Sequence, residues 1–201
     1  MMRWWPVLIA GAWLAGCAAP PESGTVPAQS REQRQQALEQ IDTWRLKGRV
    51  AIINGSEAWH LNVEWQQRQE DYRIELWGPF GSGRVQLEGD GQGVRLIDSD
   101  QGVYYADDPE SLLYAHTGVN MPVSGLRYWI LGTTDPRYAS QQSRRDQAGR
   151  LTAVQQADWQ VAFSRYTRVD GLDLPDRLSV ERQDLRVKMV VDYWQVSASG
   201  S

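Results

Sequence analysis

Residues 44–66 read "WRLKGRVAIINGSEAWHLNVEWQ". Trp44, Leu46, Gly48, Val50 and Ile52 share one face of an extended chain, and Arg45, Lys47 and Arg49 share the other. Asn54-Gly55 carries the residue types of a tight hairpin turn. The returning arm puts Trp59, Leu61, Val63 and Trp65 on one face, alternating with His60, Asn62, Glu64 and Gln66. A period of two on both arms predicts an antiparallel sheet with one dry face and one wet face.

The same pattern continues outward. Tyr72, Ile74 and Leu76 alternate with Arg73 and Glu75. The turn "GPFGSG" (78–83) follows, then Val85 and Leu87 alternating with Arg84, Gln86 and Glu88. "GDGQG" (89–93) leads into "VRLID", and "SDQG" (99–102) into "VYYA". That makes six short strands in a meander. "DDPESLLYAHTG" (107–118) then predicts a helix, with Asp108 as N-cap, Pro109 in the first turn and Gly118 at the end. "VSGLRYWILG" (123–132) predicts a second, apolar helix with Leu126, Trp129 and Ile130 at helical spacing. The polar stretch 133–149 reads as an exposed loop. Strands resume over 150–156 and 159–169, and 177–196 closes the chain with Leu185, Val187, Met189, Val191 and Tyr193 on one face. Upstream, Ser30 and Gln33 stand at capping-box spacing, and Ala37, Leu38 and Ile41 form a narrow stripe, predicting an N-terminal helix. The expectation is a mainly β domain of about eleven strands with a two-helix insertion. A single curved sheet wrapped around its apolar face satisfies the pattern, and so does a two-sheet sandwich.

The chain opens "MMRWWPVLIAGAWLAGCAAP". Arg3 precedes an apolar run from Trp4 to Ala15, the length of a signal-peptide core and too short for a typical membrane span. The run ends in Leu14-Ala15-Gly16-Cys17, which resembles the bacterial lipobox. That resemblance implies removal of residues 1–16, diacylation of the Cys17 thiol and acylation of the new amine. Cys17 is the only cysteine, so no internal disulfide forms. Three acyl chains exceed the two-signal threshold for stable anchoring. Residue 18 is Ala, not the Asp of an inner-membrane retention signal, which implies the outer membrane. Residues 17–29 read as a flexible tether, of which 18–29 reach at most ~40 Å, and 30–201 as one domain. The formal charge of −4 disfavours nucleic acid as a partner.

Catalytic parts are sparse. His60 and His116 have no second metal ligand at metal spacing nearby. No G-x-S-x-G is present, and helix capping accounts for Asp107-Asp108. The glycines of "EGDGQGVRL" lack the following helix that a phosphate loop needs. Two features remain: the apolar inserted helix, and Phe80 in an otherwise polar turn. Folding back of the ring over its own hairpin is the plain alternative for Phe80.

Several stretches together resemble one family. They are the lipobox, "WRLKGRVAI", "VEWQQ", "YRIELWGPFGSGRVQLEGD", "YYADDPESLL", "MPVSGLRYWILG" and "LRVKMVVDYW". In this order they look like the outer-membrane lipoprotein receptor of the Lol pathway, the LolB family. The resemblance implies an incomplete, unclosed antiparallel β-barrel with lid helices over an apolar cavity. It implies a non-enzymatic monomer, without cofactor or metal, on the periplasmic face of the outer membrane. Its partners would be a LolA-like periplasmic carrier, acylated lipoproteins as cargo and outer-membrane lipid. On alternation plus resemblance, Trp59, Val63, Trp65, Ile74, Leu76 and Leu87 are expected in the cavity wall, and Leu126, Trp129 and Ile130 in the lid. The membrane-insertion loop is expected at Pro79, Phe80 and Gly81. A lipoprotein that binds a hydrophobic ligand and holds it is the alternative.

Overall fold

The computed structural model describes residues 31–198. The expected signal peptide, Cys17, the tether and Ser30 of the capping box lie outside the described residues. One helix, α1 (Arg31–Glu39), precedes six strands: β1 (Ile41–Asn54), β2 (Glu57–Arg68), β3 (Asp71–Trp77), β4 (Val85–Asp90), β5 (Gly93–Ile97) and β6 (Val103–Ala106). Helices α2 (Pro109–Thr117) and α3 (Val123–Trp129) follow. The chain ends with β7 (Ser140–Arg145), β8 (Leu151–Gln156), β9 (Trp159–Val169), β10 (Leu172–Arg182) and β11 (Leu185–Ala198).

All eleven strands form one antiparallel sheet in the order β6-β5-β4-β3-β2-β1-β11-β10-β9-β8-β7. The sheet does not close, since β6 and β7 each have one neighbour. This is the single-sheet alternative, not the sandwich. Leu46, Val50, Val63, Leu96, Val161, Leu178, Val180 and Val187 are buried along the concave face, against α2 and α3. The opposite face carries ion pairs: Arg45 and Lys47 with Glu64, Arg73 and Arg84 with Glu75, and Arg95 with Glu88. The two faces thus separate as the period of two requires. Trp44 anchors the core, with its ring centroid 5.2 Å from that of Trp65 and 5.8 Å from that of Trp194.

Four local expectations are corrected. Residues 140–145 are not a loop but β7, paired to β8. Nearly every side chain in β7 is exposed, so main-chain hydrogen bonds hold this edge strand and no apolar alternation betrays it. Strand β10 starts at Leu172, upstream of Arg177, because a register shift between Pro175 and Arg177 accommodates the proline. Ile41 is not the last helical residue of the N-terminal stripe. It opens β1, opposite Ala198. Tyr193 does not share the face of Val191. A bulge pairs Lys47 with Tyr193 but Gly48 with Val191, so Asp192 is the extra residue and the alternation flips. Tyr193 therefore faces solvent and Trp194 is buried. At that bulge the Val190 carbonyl occupies the space a Cβ on residue 48 would need, which explains Gly48.

Candidate functional site

The concave face leaves a cavity of about 350 Å³ between the sheet and the helices. Trp59, Val63 and Trp65 come from β2, Ile74 and Leu76 from β3, Leu87 from β4 and Leu126 from α3, and all seven line it. Strand alternation places these side chains inward, and the β1–β2 and β2–β3 registers set Trp65 opposite both Leu46 and Ile74. Trp65 is buried, and its indole N–H donates to Gln67 Oε1 at 3.1 Å. Gln67 in turn donates to the Gln69 carbonyl at 2.7 Å. The indole's polar edge is thus satisfied away from the cavity, and its apolar face is left for the wall. Apart from Gly83 and the hydroxyl of Thr117, the lining is made of apolar side chains. Trp59 is 36% exposed, and with exposed Gly83 and Thr117 it marks the mouth.

Beyond the expected residues, the lining also draws on Val50 and Ile52 of β1, Val187 and Met189 of β11, Leu113 of α2, and Val119 and Met121 of the α2–α3 linker. The β11 pair was legible as an inward stripe. The linker was not, since its residues have no periodicity.

Trp129 and Ile130 do not join Leu126 at the cavity. Val123 and Leu126 face it from one side of α3. Trp129, one turn on from Leu126, does not reach it: its ring is 1% exposed and donates to Gln156 Oε1 at 2.9 Å. Ile130 follows the last helical residue and is wholly buried. Helical spacing groups Leu126 and Trp129 on one apolar face, but that face is shared between two partners, the cavity at Val123 and Leu126 and Gln156 at Trp129. Gly125 accommodates the Trp129 ring, which a Cβ there would meet at 2.6 Å. Gly125→Ala is expected to cost about 1–3 kcal/mol through overpacking, read as a lowered urea midpoint with unchanged m.

Polar clamps hold the helices over the bowl. Asp108 caps α2 by accepting from the Ser111 N–H at 2.8 Å, and Gly118 ends it in the left-handed conformation, φ 71°. Glu110 of α2 accepts from the Ser124 N–H at 2.8 Å and from its hydroxyl at 3.1 Å, joining α2 to α3. Arg127 forks onto the Glu70 carboxylate at 2.9 and 3.1 Å and onto the Gln69 carbonyl at 2.6 Å. That fork holds the Glu70 carboxyl below its ordinary range. His116 lies 3.7 Å from Asp98 and stacks on Tyr104 at 4.3 Å, pinning the far end of α2.

Phe80 stands apart from all of this. Gly78 N–H donates to the Ser82 carbonyl at 2.7 Å, and the Ser82 hydroxyl donates to Pro79 O at 2.9 Å, closing the loop at its base. Pro79–Gly81 form one tight turn, with Phe80 at φ 59°, ψ 19° and Gly81 at φ 80°. A bulky residue in the left-handed region is a conformational outlier, costing about 1–3 kcal/mol. The ring recovers none of this by packing, since Phe80 is 109% exposed. The ring does not fold over its hairpin. Gly83, at the other foot of the loop, lines the cavity, so the apolar tip adjoins the mouth.

Among the described residues, no group of three or more His, Cys, Asp or Glu side chains is placed to hold a metal ion.

Comparison with known proteins supplies what geometry alone does not. Residues 42–194 match the family model described as outer membrane lipoprotein LolB. The outer-membrane lipoprotein LolB of Nitrosococcus oceani is 35% identical over 192 residues, spanning 94% of this chain and 96% of that protein. That of Alkalilimnicola ehrlichii is 36% identical over 199 residues, 98% of this chain and all of the relative. Among solved structures, a LolA superfamily protein from Nitrosomonas europaea overlays with a TM-score of 0.52 at 7% identity, covering 83% of this chain and 94% of its own. A putative outer membrane lipoprotein-sorting protein domain from Vibrio parahaemolyticus gives 0.54 at 8% identity, covering 85% and 93%. These two likenesses concern the fold. The sequence matches span nearly the whole chain, and it belongs to the outer-membrane lipoprotein LolB family.

Proposed function

We propose that this protein receives acylated lipoproteins from a periplasmic carrier, shelters their acyl chains in the apolar cavity, and inserts them into the outer membrane. It does so as an outer-membrane lipoprotein, with Cys17 as its lipid-bearing residue. The observation that carries the reading is the juxtaposition of an apolar cavity mouth with a fully exposed Phe80 on the adjoining loop. Each buried CH₂ is worth about 0.8 kcal/mol, so one chain of ~16 carbons costs on the order of 12 kcal/mol in bare water. Cargo crosses the aqueous gap only if covered throughout. The cavity offers continuous cover, and the bilayer is the final sink. A protein that merely held a hydrophobic ligand would have no use for a strained, solvent-exposed ring at its rim.

The test is transfer in two stages: from loaded carrier to soluble protein lacking Cys17, then from that protein to liposomes. A photocrosslinking residue at Trp65 or Leu126 is expected to trap acyl chains in the loaded state. The same probe at Trp129, which is buried against Gln156 and does not line the cavity, is expected to trap none. Empty lanes at Trp65 and Leu126, with a crosslinker in the carrier working, would remove the cavity from the mechanism.

A further inference from the structure

Among the described residues, the open sheet has two edges with no further strand paired to them, and they differ. Edge strand β7 reads "SQQSRR" and is polar throughout, ending in Arg144 and Arg145. Charged and polar side chains are the usual protection of an exposed edge. Edge strand β6 reads "VYYA" and has no such protection within it. Val103 is 46% and Tyr105 73% exposed.

The register fixes which backbone groups are free. Asp98 N–H donates to the Gly102 carbonyl at 3.1 Å, so 98 and 102 are a hydrogen-bonded pair. Bonded pairs recur every second residue in an antiparallel ladder. Leu96 with Tyr104 and Val94 with Ala106 are therefore the bonded pairs toward β5. The N–H and C=O groups of Val103 and Tyr105 point the other way, to the open side. Their side chains lie on the convex face, because their neighbour Tyr104 pairs with buried Leu96 and packs on His116 of α2.

The strand is also framed by charge. Asp98 and Asp100 precede it, and Asp107 and Asp108 follow it. Asp98 and Asp108 serve as local caps, accepting from the Gly102 and Ser111 N–H groups. Asp100 and Asp107 are exposed, and neither has an ion pair among the described residues. A segment adding to this edge meets carboxylates at both ends, which selects cationic flanks and repels acidic ones.

We propose that β6 is a docking strand, to which a cationic extended segment of the delivering carrier adds as a twelfth strand beside helix α2. The partner's identity as the carrier rests on the function proposed above. A molecule of the same open-sheet fold brings an exposed strand edge of its own. Docking there sets the partner against β6, whose concave face α2 covers, and α2 supplies Leu113 and Thr117 to the cavity lining.

The probe is the peptide acetyl-Lys-Arg-Thr-Val-Thr-Val-Arg-Lys-amide, titrated into isotope-labelled protein. Saturable shifts of the Val103 and Tyr105 amides are expected, weakening with salt. Tyr105→Pro removes an N–H that bonds nothing inside the sheet, as edge strands tolerate. It is expected to weaken the peptide at least ~tenfold, whereas Tyr105→Thr keeps the N–H and stays within about threefold. Asp100→Lys with Asp107→Lys leaves the backbone intact and is expected to weaken the peptide at least ~tenfold as well. In the transfer assay, Tyr105→Pro lowers acceptance from the carrier but not delivery by preloaded protein. Absent amide shifts, a Tyr105→Pro variant that binds or accepts normally, or amide shifts reproduced by self-association without peptide overturns the proposal. Failure of the parent protein to accept any lipoprotein would instead overturn the receptor function, and the peptide titration would still decide the edge.

Discussion

Phe80→Glu accepts lipoprotein from the carrier within about twofold of the parent rate, yet delivers it to liposomes at least ~tenfold more slowly. Inserting a Phe ring into the apolar edge of a bilayer gains roughly 1.5–3 kcal/mol, and every 1.4 kcal/mol is a factor of ten in the loop–membrane equilibrium. Glutamate forfeits that gain and adds repulsion from anionic lipid. The effect is confined to delivery because the side chain touches nothing else. Phe80 is fully exposed, and the loop is closed by Gly78, Pro79 and Ser82 through bonds that do not involve the ring. Phe80→Gly sharpens the test. It removes the ring and also relieves the left-handed backbone, so delivery falls while stability rises by about 1 kcal/mol. Loss of acceptance in parallel with delivery, or liposome delivery at the parent rate, would show that the tip is not the element that meets lipid.

The legibility of this molecule follows from where period and burial coincide. Strands β1 to β5 have one dry face, so their inward residues were readable singly, and Trp59, Val63, Trp65, Ile74, Leu76 and Leu87 meet in one cavity. Asp108, Pro109 and Gly118 bound α2 through local backbone chemistry, which a sequence carries directly. Period failed where a bulge changed its phase, as at Asp192, which turned Tyr193 outward. It failed where an element has no dry face, as in β7. It also failed where the apolar face of one short helix is shared between two partners, which split Leu126 from Trp129. Phe80 was visible as an oddity, but composition left its direction open. Its positive φ and its exposure decide that.

Gln156→Leu is the substitution with the largest expected cost to the fold. Gln156 ends β8 and is wholly buried. All of its hydrogen-bonding capacity is used. Its carbonyl accepts from the Trp129 indole N–H at 2.9 Å and from the Asp135 N–H at 2.8 Å. Its amide donates to the Asp135 carbonyl at 2.8 Å and the Tyr138 carbonyl at 2.6 Å. One side chain thereby joins α3 to the segment that leads into β7. Leucine fills the same space but leaves the Trp129 and Asp135 N–H groups buried without an acceptor, whereas the Asp135 carbonyl keeps the Tyr138 N–H at 3.3 Å. Each orphaned buried group costs about 1–3 kcal/mol, so the loss is at least about 2 kcal/mol, or roughly 4–8 °C in Tm for a domain of this size. The Trp129 indole N–H resonance, now unprotected, is expected to exchange rapidly. The damage also reaches the cavity, because Trp129 and Leu126 lie one turn apart in the same seven-residue helix, and freeing one loosens the other. A destabilisation below about 1 kcal/mol would mean that water reaches these groups. The helix over the cavity would then be held chiefly by Glu110 and Arg127, and Arg127→Met, not Gln156→Leu, would be the substitution that opens it.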